Sequence, residues 1–193
     1  MRIVSGKWAG RDLVSPGARV RPTSEVVRDR LLNLLAPDLP KARVLDLFAG
    51  SGALGLEALS RGAATADFVE NGAASLHALK ANVAAFKLKQ KTRIFKRDVI
   101  PFVERIDSVA YGIAFMDPPY GSHKLDRVLS RWLEVPFSRI LCVEHDREHR
   151  LPHKGKRYDF GDTRVTVYRI RGKERARRGG DGLGPAETVS HRS

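Results

Sequence analysis

A single cysteine, Cys142, stands among the 193 residues, which excludes a disulfide framework and any metal centre built from clustered thiolates. It lies in the apolar run Ile140-Leu141-Cys142-Val143 and reads as a buried core thiol. The six histidines show no ligand spacing; His145, His149 and His153 fall in a charged segment that reads as a loop, so no metal site is expected. No apolar stretch approaches the roughly 18 residues of a membrane-spanning helix, and no apolar signal core follows Met1. The expectation is a soluble, cytoplasmic protein, monomeric and without an internal repeat. Acids are missing in one place: none occurs from Asn71 to Arg97, where Lys87, Lys89, Lys91, Arg93, Lys96 and Arg97 crowd together. Across the chain 35 Lys and Arg face 22 Asp and Glu, a formal charge of +13. That balance favours an acidic partner, most often nucleic acid, although many small basic proteins are simply solvated this way.

What the chain does have is the stretch Arg43-Val-Leu-Asp-Leu-Phe-Ala-Gly-Ser-Gly-Ala-Leu-Gly55. A short apolar run, interrupted by Asp46, breaks at Gly50-Ser51-Gly52 and passes into a helical pattern over 51–61. Strand, glycine turn and helix make the first unit of an α/β nucleotide-binding sheet. Two ligands fit such a turn. Gly50, Gly52 and Gly55 satisfy G-x-G-x-x-G, and Glu70 lies 18 residues beyond Gly52, about where a dinucleotide site places its ribose-binding acid. The same residues satisfy D-x-F-x-G-x-G, the S-adenosylmethionine loop. Asp46 favours the second reading, because a carboxylate there repels a pyrophosphate but can hold the ammonium of S-adenosylmethionine.

Before this unit, residues 1–22 carry Arg2, Lys7, Trp8, Arg11, Arg19 and Arg21 among glycines and prolines, with a short hairpin through Gly6–Gly10. Two readings stand side by side: an RNA-contacting arm, or a solvated arm packed on the domain by Trp8 and Val14. Thr23 or Ser24 then caps a helix whose buried face is Val27, Leu31, Leu34 and Leu35, leaving Arg28 and Arg30 off it. Further strands are expected at 66–70, 92–95, 113–116 and 138–143, and a hairpin at 158–160 and 164–170 across Gly161-Asp162. Helical stripes fall at Leu76, Leu79, Val83 and Phe86, and again at Leu125, Val128, Leu129 and Trp132. Glu70 ends the second strand, where a carboxylate can chelate ribose hydroxyls. Asp98 follows the third, where an acid commonly accepts from an adenine amino group. The fourth strand ends in Asp117-Pro118-Pro119-Tyr120, 71 residues after Asp46. Two prolines fix φ and remove two amide donors, so a rigid turn presents carbonyls between an acid and an aromatic ring. The chain divides into a basic arm and helix over 1–40, a domain over 41–171, and a basic tail over 172–193 expected to be disordered.

The D-x-F-x-G-x-G loop together with D-P-P-Y resembles class I S-adenosylmethionine-dependent methyltransferases that modify exocyclic amines. Arg2-Ile3-Val4-Ser5-Gly6 with Gly10-Arg11, then Arg21-Pro22-Thr23, and the run Val44–Glu57 resemble more closely the RsmD family, bacterial 16S rRNA guanine-N2 methyltransferases. The resemblance covers residues 1–170. Leu32 stands where the family often has Phe, and the tail from Gly172 lies outside the pattern. It implies a Rossmann-like α/β fold, a mostly parallel seven-stranded sheet with an antiparallel last strand and helices on both faces. The implied cofactor is S-adenosylmethionine, held by Asp46, Phe48, Ala49, Gly50, Ser51, Gly52, Glu70, Asn71, Asp98 and Asp117. Asp117, Pro118, Pro119 and Tyr120 are the implied catalytic tetrad. Lys7, Arg11, Arg21, Thr23 and Arg28 are the candidate RNA contacts. The implied partner is 16S rRNA within an assembling small subunit.

Overall fold

The structure, a computed structural model, describes residues 1–17, 24–119, 121–161 and 163–170. The expectations placed on Arg21, Thr23, Tyr120 and the tail lie outside the described residues. Seven strands, β1 (Arg43–Leu47), β2 (Thr65–Glu70), β3 (Thr92–Lys96), β4 (Tyr111–Met116), β5 (Ser138–Asp146), β6 (Lys156–Phe160) and β7 (Thr163–Arg169), form one sheet. Their order is β3-β2-β1-β4-β5-β7-β6. The first five are parallel, and β7 runs antiparallel to both β5 and β6. The expected sheet is the observed one. β5 extends past the expected 143, so His145 is not a loop residue: it is buried in the strand, its Nε2 2.8 Å from Thr166 Oγ1.

The period of two in each strand divides the core between two faces. Val44, Ile113, Phe115, Ile140 and Cys142 pack with helices α1 (Glu25–Leu34), α2 (Ala53–Ser60) and α3 (Ala73–Ala85) through Leu31, Leu56 and Leu79. Leu45, Leu47, Ala114, Met116, Leu141 and Val143 face the other way, against α4 (Val99–Val103) and α5 (Lys124–Glu134) through Ile100, Val128 and Trp132. Both parallel-sheet faces are therefore covered.

The N-terminal arm folds on itself: the Ile3 amide donates to the Arg11 carbonyl (2.9 Å) and the Gly10 amide to the Ile3 carbonyl (2.8 Å). Gly6, at φ +83°, stands so close to α2 that a Cβ would lie 2.2 Å from the Ser60 carbonyl oxygen. The arm packs through Ile3, Leu13 and Trp8, the last edge-on to Phe86 at 5.5 Å; the Val14 side chain is exposed and adds no packing. Ser24 caps α1, its hydroxyl accepting from the Val27 amide at 3.1 Å. Two positions on α1 differ from expectation. Leu34 is exposed, and Arg28 is fully buried beside Leu31, Leu32 and Leu35. Helical spacing puts Arg28 on that face; its charge is accommodated because Glu57 of α2 offers a buried carboxylate, 3.3 Å from its Nε. Arg28 is a strut between two helices, and its assignment as an RNA contact is corrected.

Candidate active site

β1 and β4 lie side by side, although the chain runs outward through β2 and β3 between them. This is the topological switch point at which α/β sheets bind ligands beyond the carboxyl ends of their strands. A cleft of about 540 Å³ opens there, within the usual range for a small-molecule site. Asp46, Phe48, Ala49, Gly50 and Ser51 line it from the end of β1, Glu70 and Asn71 from β2, and Asp117, Pro118 and Pro119 from β4.

The turn after β1 is shaped by unusual backbone. Phe48 has φ +59° and Gly50 φ +56°. A left-handed conformation at an aromatic residue costs on the order of 1 kcal/mol or more and persists at sites where the surroundings impose it. Among the described residues, no atom outside the adjoining ones lies within 4 Å of where a Cβ on Gly50 would stand, so the turn leaves room for a ligand. Gly52 and Gly55 serve packing instead. A Cβ on Gly52 would meet Leu79 Cδ1 at 2.5 Å, and one on Gly55 would meet Phe68 Cε1 at 2.4 Å. Gly52 does not line the cleft. The buried amide of Asn82 donates to the Ser51 carbonyl (2.9 Å) and the Val14 carbonyl (3.0 Å), and its oxygen accepts from the Val14 amide (2.8 Å). One side chain thus ties the glycine turn to the N-terminal arm, which brings Pro16 to the rim.

The carboxylates differ in setting. Glu70 is held by three amides: Gly50 (2.8 Å) on one oxygen, Asn71 (2.8 Å) and Gly72 (2.7 Å) on the other. Asp46 is buried, with Oδ2 accepting from the Gly55 amide at 2.9 Å. Its pKa is pushed up to about 8, first by burial and further by the charges of Asp117 and Glu70, against the Gly55 hydrogen bond. Asp98 is not in the cleft, although Arg97 and Val99 on either side of it are. Its carboxylate caps α4 through the Ile100 amide (3.0 Å) and pairs with Lys124, which holds its pKa below the usual carboxylate range. The cleft also takes in Ser122, Lys124, Glu144, Phe160 and Thr163, none of which the sequence reading singled out. Glu144 carries a signal that could have been used, an acid closing the apolar run of the central fifth strand. Among the described residues no group of three or more His, Cys, Asp and Glu side chains could hold a metal, and no helix is long and apolar enough to cross a membrane.

This geometry is that of a family. The one described as Conserved hypothetical protein 95, the RsmD family, matches residues 1–169. The chain belongs to it. Ribosomal RNA small subunit methyltransferase D of Escherichia coli K12 is 37% identical over 158 residues, 79% of this chain and 78% of the relative. The solved structure of a hypothetical protein from Thermus thermophilus superposes with a TM-score of 0.78 at 30% identity, over 88% of this chain and 99% of that one. An RNA methyltransferase from Salinibacter ruber, solved with S-adenosyl-L-homocysteine, shares the fold at 17% identity and a TM-score of 0.60, over 78% and 94% of the two chains. This RsmD-family chain is a methyltransferase dependent on S-adenosylmethionine.

The residues present fit that cofactor. A buried carboxylate at the end of β1 could hold an ammonium, the open glycine turn could take the methionine chain, and Glu70, oriented by three amides, could accept from hydroxyls. The protonation of Asp46 makes this fit measurable. With a pKa near 8 the carboxyl holds a proton at pH 7, and a cationic neighbour favours the ionised form. Cofactor binding at pH 7 is therefore expected to release about one proton, and the release should vanish above about pH 9. Calorimetric titrations in buffers of different ionisation enthalpy count that proton. Asp46→Asn should abolish it, and a release unchanged in this variant removes Asp46 from the cofactor site.

Proposed function

We propose that the chain transfers a methyl group from S-adenosylmethionine to the exocyclic N2 amine of a guanine in 16S rRNA, within an assembling small subunit. The observation that carries the reading is the single cleft that joins the Asp46–Glu70 turn to the Asp117-Pro118-Pro119 turn. The name of the Escherichia coli relative supports an rRNA substrate, and the basic surface supports a polyanionic one. Lys7 and Arg11 are exposed on the arm, and Lys87, Lys89, Lys91, Lys96 and Arg97 are exposed on and after the acid-free connection. They suit phosphate contacts, which position RNA without reading its sequence. The protein would act as a monomer in the cytoplasm.

An exocyclic amine is a poor nucleophile because its lone pair is delocalised into the ring. The Asp117 carboxylate and the Pro118 carbonyl can accept its two N–H bonds and draw the nitrogen toward tetrahedral geometry, which localises the lone pair. S-adenosylmethionine, when bound, would supply a methyl group carried on a positively charged sulfur, and that sulfur would keep the C–S electron pair when the amine nitrogen takes the methyl. The surplus proton leaves along the bond aimed at the Asp117 carboxylate. Positioning and electrostatics supply the rate enhancement, without a covalent enzyme intermediate. Unstacking the base to reach the cleft costs a few kcal/mol, less in a loop than in a helix. Tyr120 is assigned to stack on the base and Asp98 to meet the adenine end, once Lys124 yields.

The test uses methyl-labelled S-adenosylmethionine and small ribosomal particles lacking native methylation, followed by digestion and identification of the labelled nucleoside. N2-methylguanosine is expected. N6-methyladenosine keeps the mechanism and rejects the base, and an absence of label rejects the substrate.

A further inference from the structure

Asp46, Asp117 and Glu144 follow core residues of one sheet face, Asp46 level with Phe115 and the other two one pleat further on. Each stands two residues beyond a core residue of the same sheet face, Val44, Phe115 and Cys142 respectively, and each lines the cleft. Met116 and Val143 are register partners on β4 and β5, so Asp117, just past the end of β4, and Glu144, still within β5, follow side by side. The cofactor ammonium and the acceptor amine account for the first two carboxylates and leave the third unassigned. Glu144 is buried, 8% exposed. With Pro118, Pro119 and Ser122 of the proline turn it also walls a small recess of about 20 Å³. Its strand neighbour His145 is fixed to Thr166, and Glu144 is itself in register with Val165, so its backbone is held by β7.

We propose that Glu144 is the specificity-determining residue for the acceptor base, its carboxylate accepting the ring N1–H of guanine while Asp117 accepts the neighbouring exocyclic N–H. The inference rests on the guanine-N2 reading of the same cleft. Its warrant is the donor pattern of the bases. In guanine the exocyclic amine is flanked by a ring N–H donor. In adenine and cytosine the corresponding ring nitrogen beside the amine is an acceptor, whose lone pair would face a carboxylate. Neighbouring parallel strands stand about 4.8 Å apart, a span that two donors on adjacent atoms of one base edge can bridge. A carboxylate beside the amine acceptor therefore rewards guanine and penalises the other two, through a buried acceptor oxygen left facing a lone pair.

The analogue 2-aminopurine isolates this contact, because it keeps the 2-amine and lacks the N1 hydrogen. Small ribosomal particles would be assembled on rRNA carrying guanosine or 2-aminopurine at the labelled position, and methyl transfer by the full-length chain compared. The wild-type protein is expected to prefer guanosine by about 100-fold or more. Glu144→Gln, whose amide can donate to an unprotonated N1, is expected to lose about 10-fold or more on guanosine and to bring the two rates within a few-fold of each other, with cofactor affinity unchanged. A merely structural role would slow both substrates equally. Equal loss on both, or unchanged discrimination, overturns the proposal. So does a wild-type protein that uses 2-aminopurine as readily as guanosine, a result that needs no variant to fold. If N2-methylguanosine forms while discrimination does not depend on Glu144, only this role falls. If the wild-type protein labels another base, the guanine reading falls with it.

Discussion

Replacing Asp117 with alanine is expected to lower methyl transfer by about 1,000-fold or more, while the dissociation constant for S-adenosylmethionine stays within a few-fold. The expected size is that of removing a preorganised electrostatic contact made mainly in the transition state. In the ground state the amine is planar and loosely held; as it becomes tetrahedral and cationic, the carboxylate beside it gains an attractive charge–charge term in a site shielded from water. The proposed cofactor contacts are a different set of groups, the Asp46 carboxyl and the Glu70 carboxylate with its three amide donors. The two sets communicate in one measurable way. Asp117 contributes to the raised pKa of Asp46, behind the larger effect of burial. Asp117→Ala should therefore move the proton release on cofactor binding to lower pH, a readout independent of turnover. Asp117→Asn keeps an acceptor oxygen without the charge and should lie between the two. Single-turnover rates with saturating cofactor decide the matter: an alanine variant within tenfold of the wild-type rate removes Asp117 from its assigned role.

How much of this was legible in the sequence depends on whether a residue acts locally or through the fold. The glycine turn and the proline turn are local signals, since their backbone demands are written in adjacent residues; both fall at the switch point. The central strands were legible as short apolar runs, because a strand covered on both faces is apolar throughout. Arg28 was misjudged because charge is a good predictor of exposure only when no partner waits inside, and its partner Glu57 comes 29 residues later. Asn82 carried no signal: a polar residue in a helical stripe looks like a solvated position until the arm and the glycine turn close around it. Glu144 was hidden in a different way. Its significance comes from standing beside Asp117 in register, and register between β4 and β5 is set by the packing of the whole sheet. Asp98 shows the converse. Its place after β3 was visible in the sequence, but its cap on a short helix and its pair with Lys124 were not, because both depend on neighbours that the fold supplies.

Glu57→Ala is expected to destabilise the protein by about 3–5 kcal/mol. Glu57 is fully buried and its two carboxylate oxygens gather five hydrogen bonds. The Val4 and Ser5 amides donate to it at 2.8 Å each, Arg28 Nε at 3.3 Å, and Arg61 through Nε at 3.2 Å and Nη2 at 2.9 Å. Arg61 continues to Asp29 and Asn33, both at 2.7 Å, so the arm, α1 and α2 meet at this one carboxylate. Arg28 donates to the Arg2 carbonyl as well, while its Nη1 is buried with no hydrogen-bond partner among the described residues. Truncating Glu57 would therefore leave a buried guanidinium without its counter-charge and two amides without acceptors. For a chain of this size that loss corresponds to a drop in melting temperature of about 10 °C. Glu57→Gln, which keeps one acceptor oxygen and removes the charge, should fall between. The consequence reaches the cofactor turn, because α2 begins at Gly52 and any shift of that helix moves the amides at its start. Cofactor affinity of the alanine variant should accordingly weaken even at temperatures where it remains folded. A thermal melt lowered by no more than about 2–3 °C would mean that the arm and α1 are held by their apolar contacts, Ile3, Leu13 and Leu31 first among them, with the buried charges serving only to fix their register.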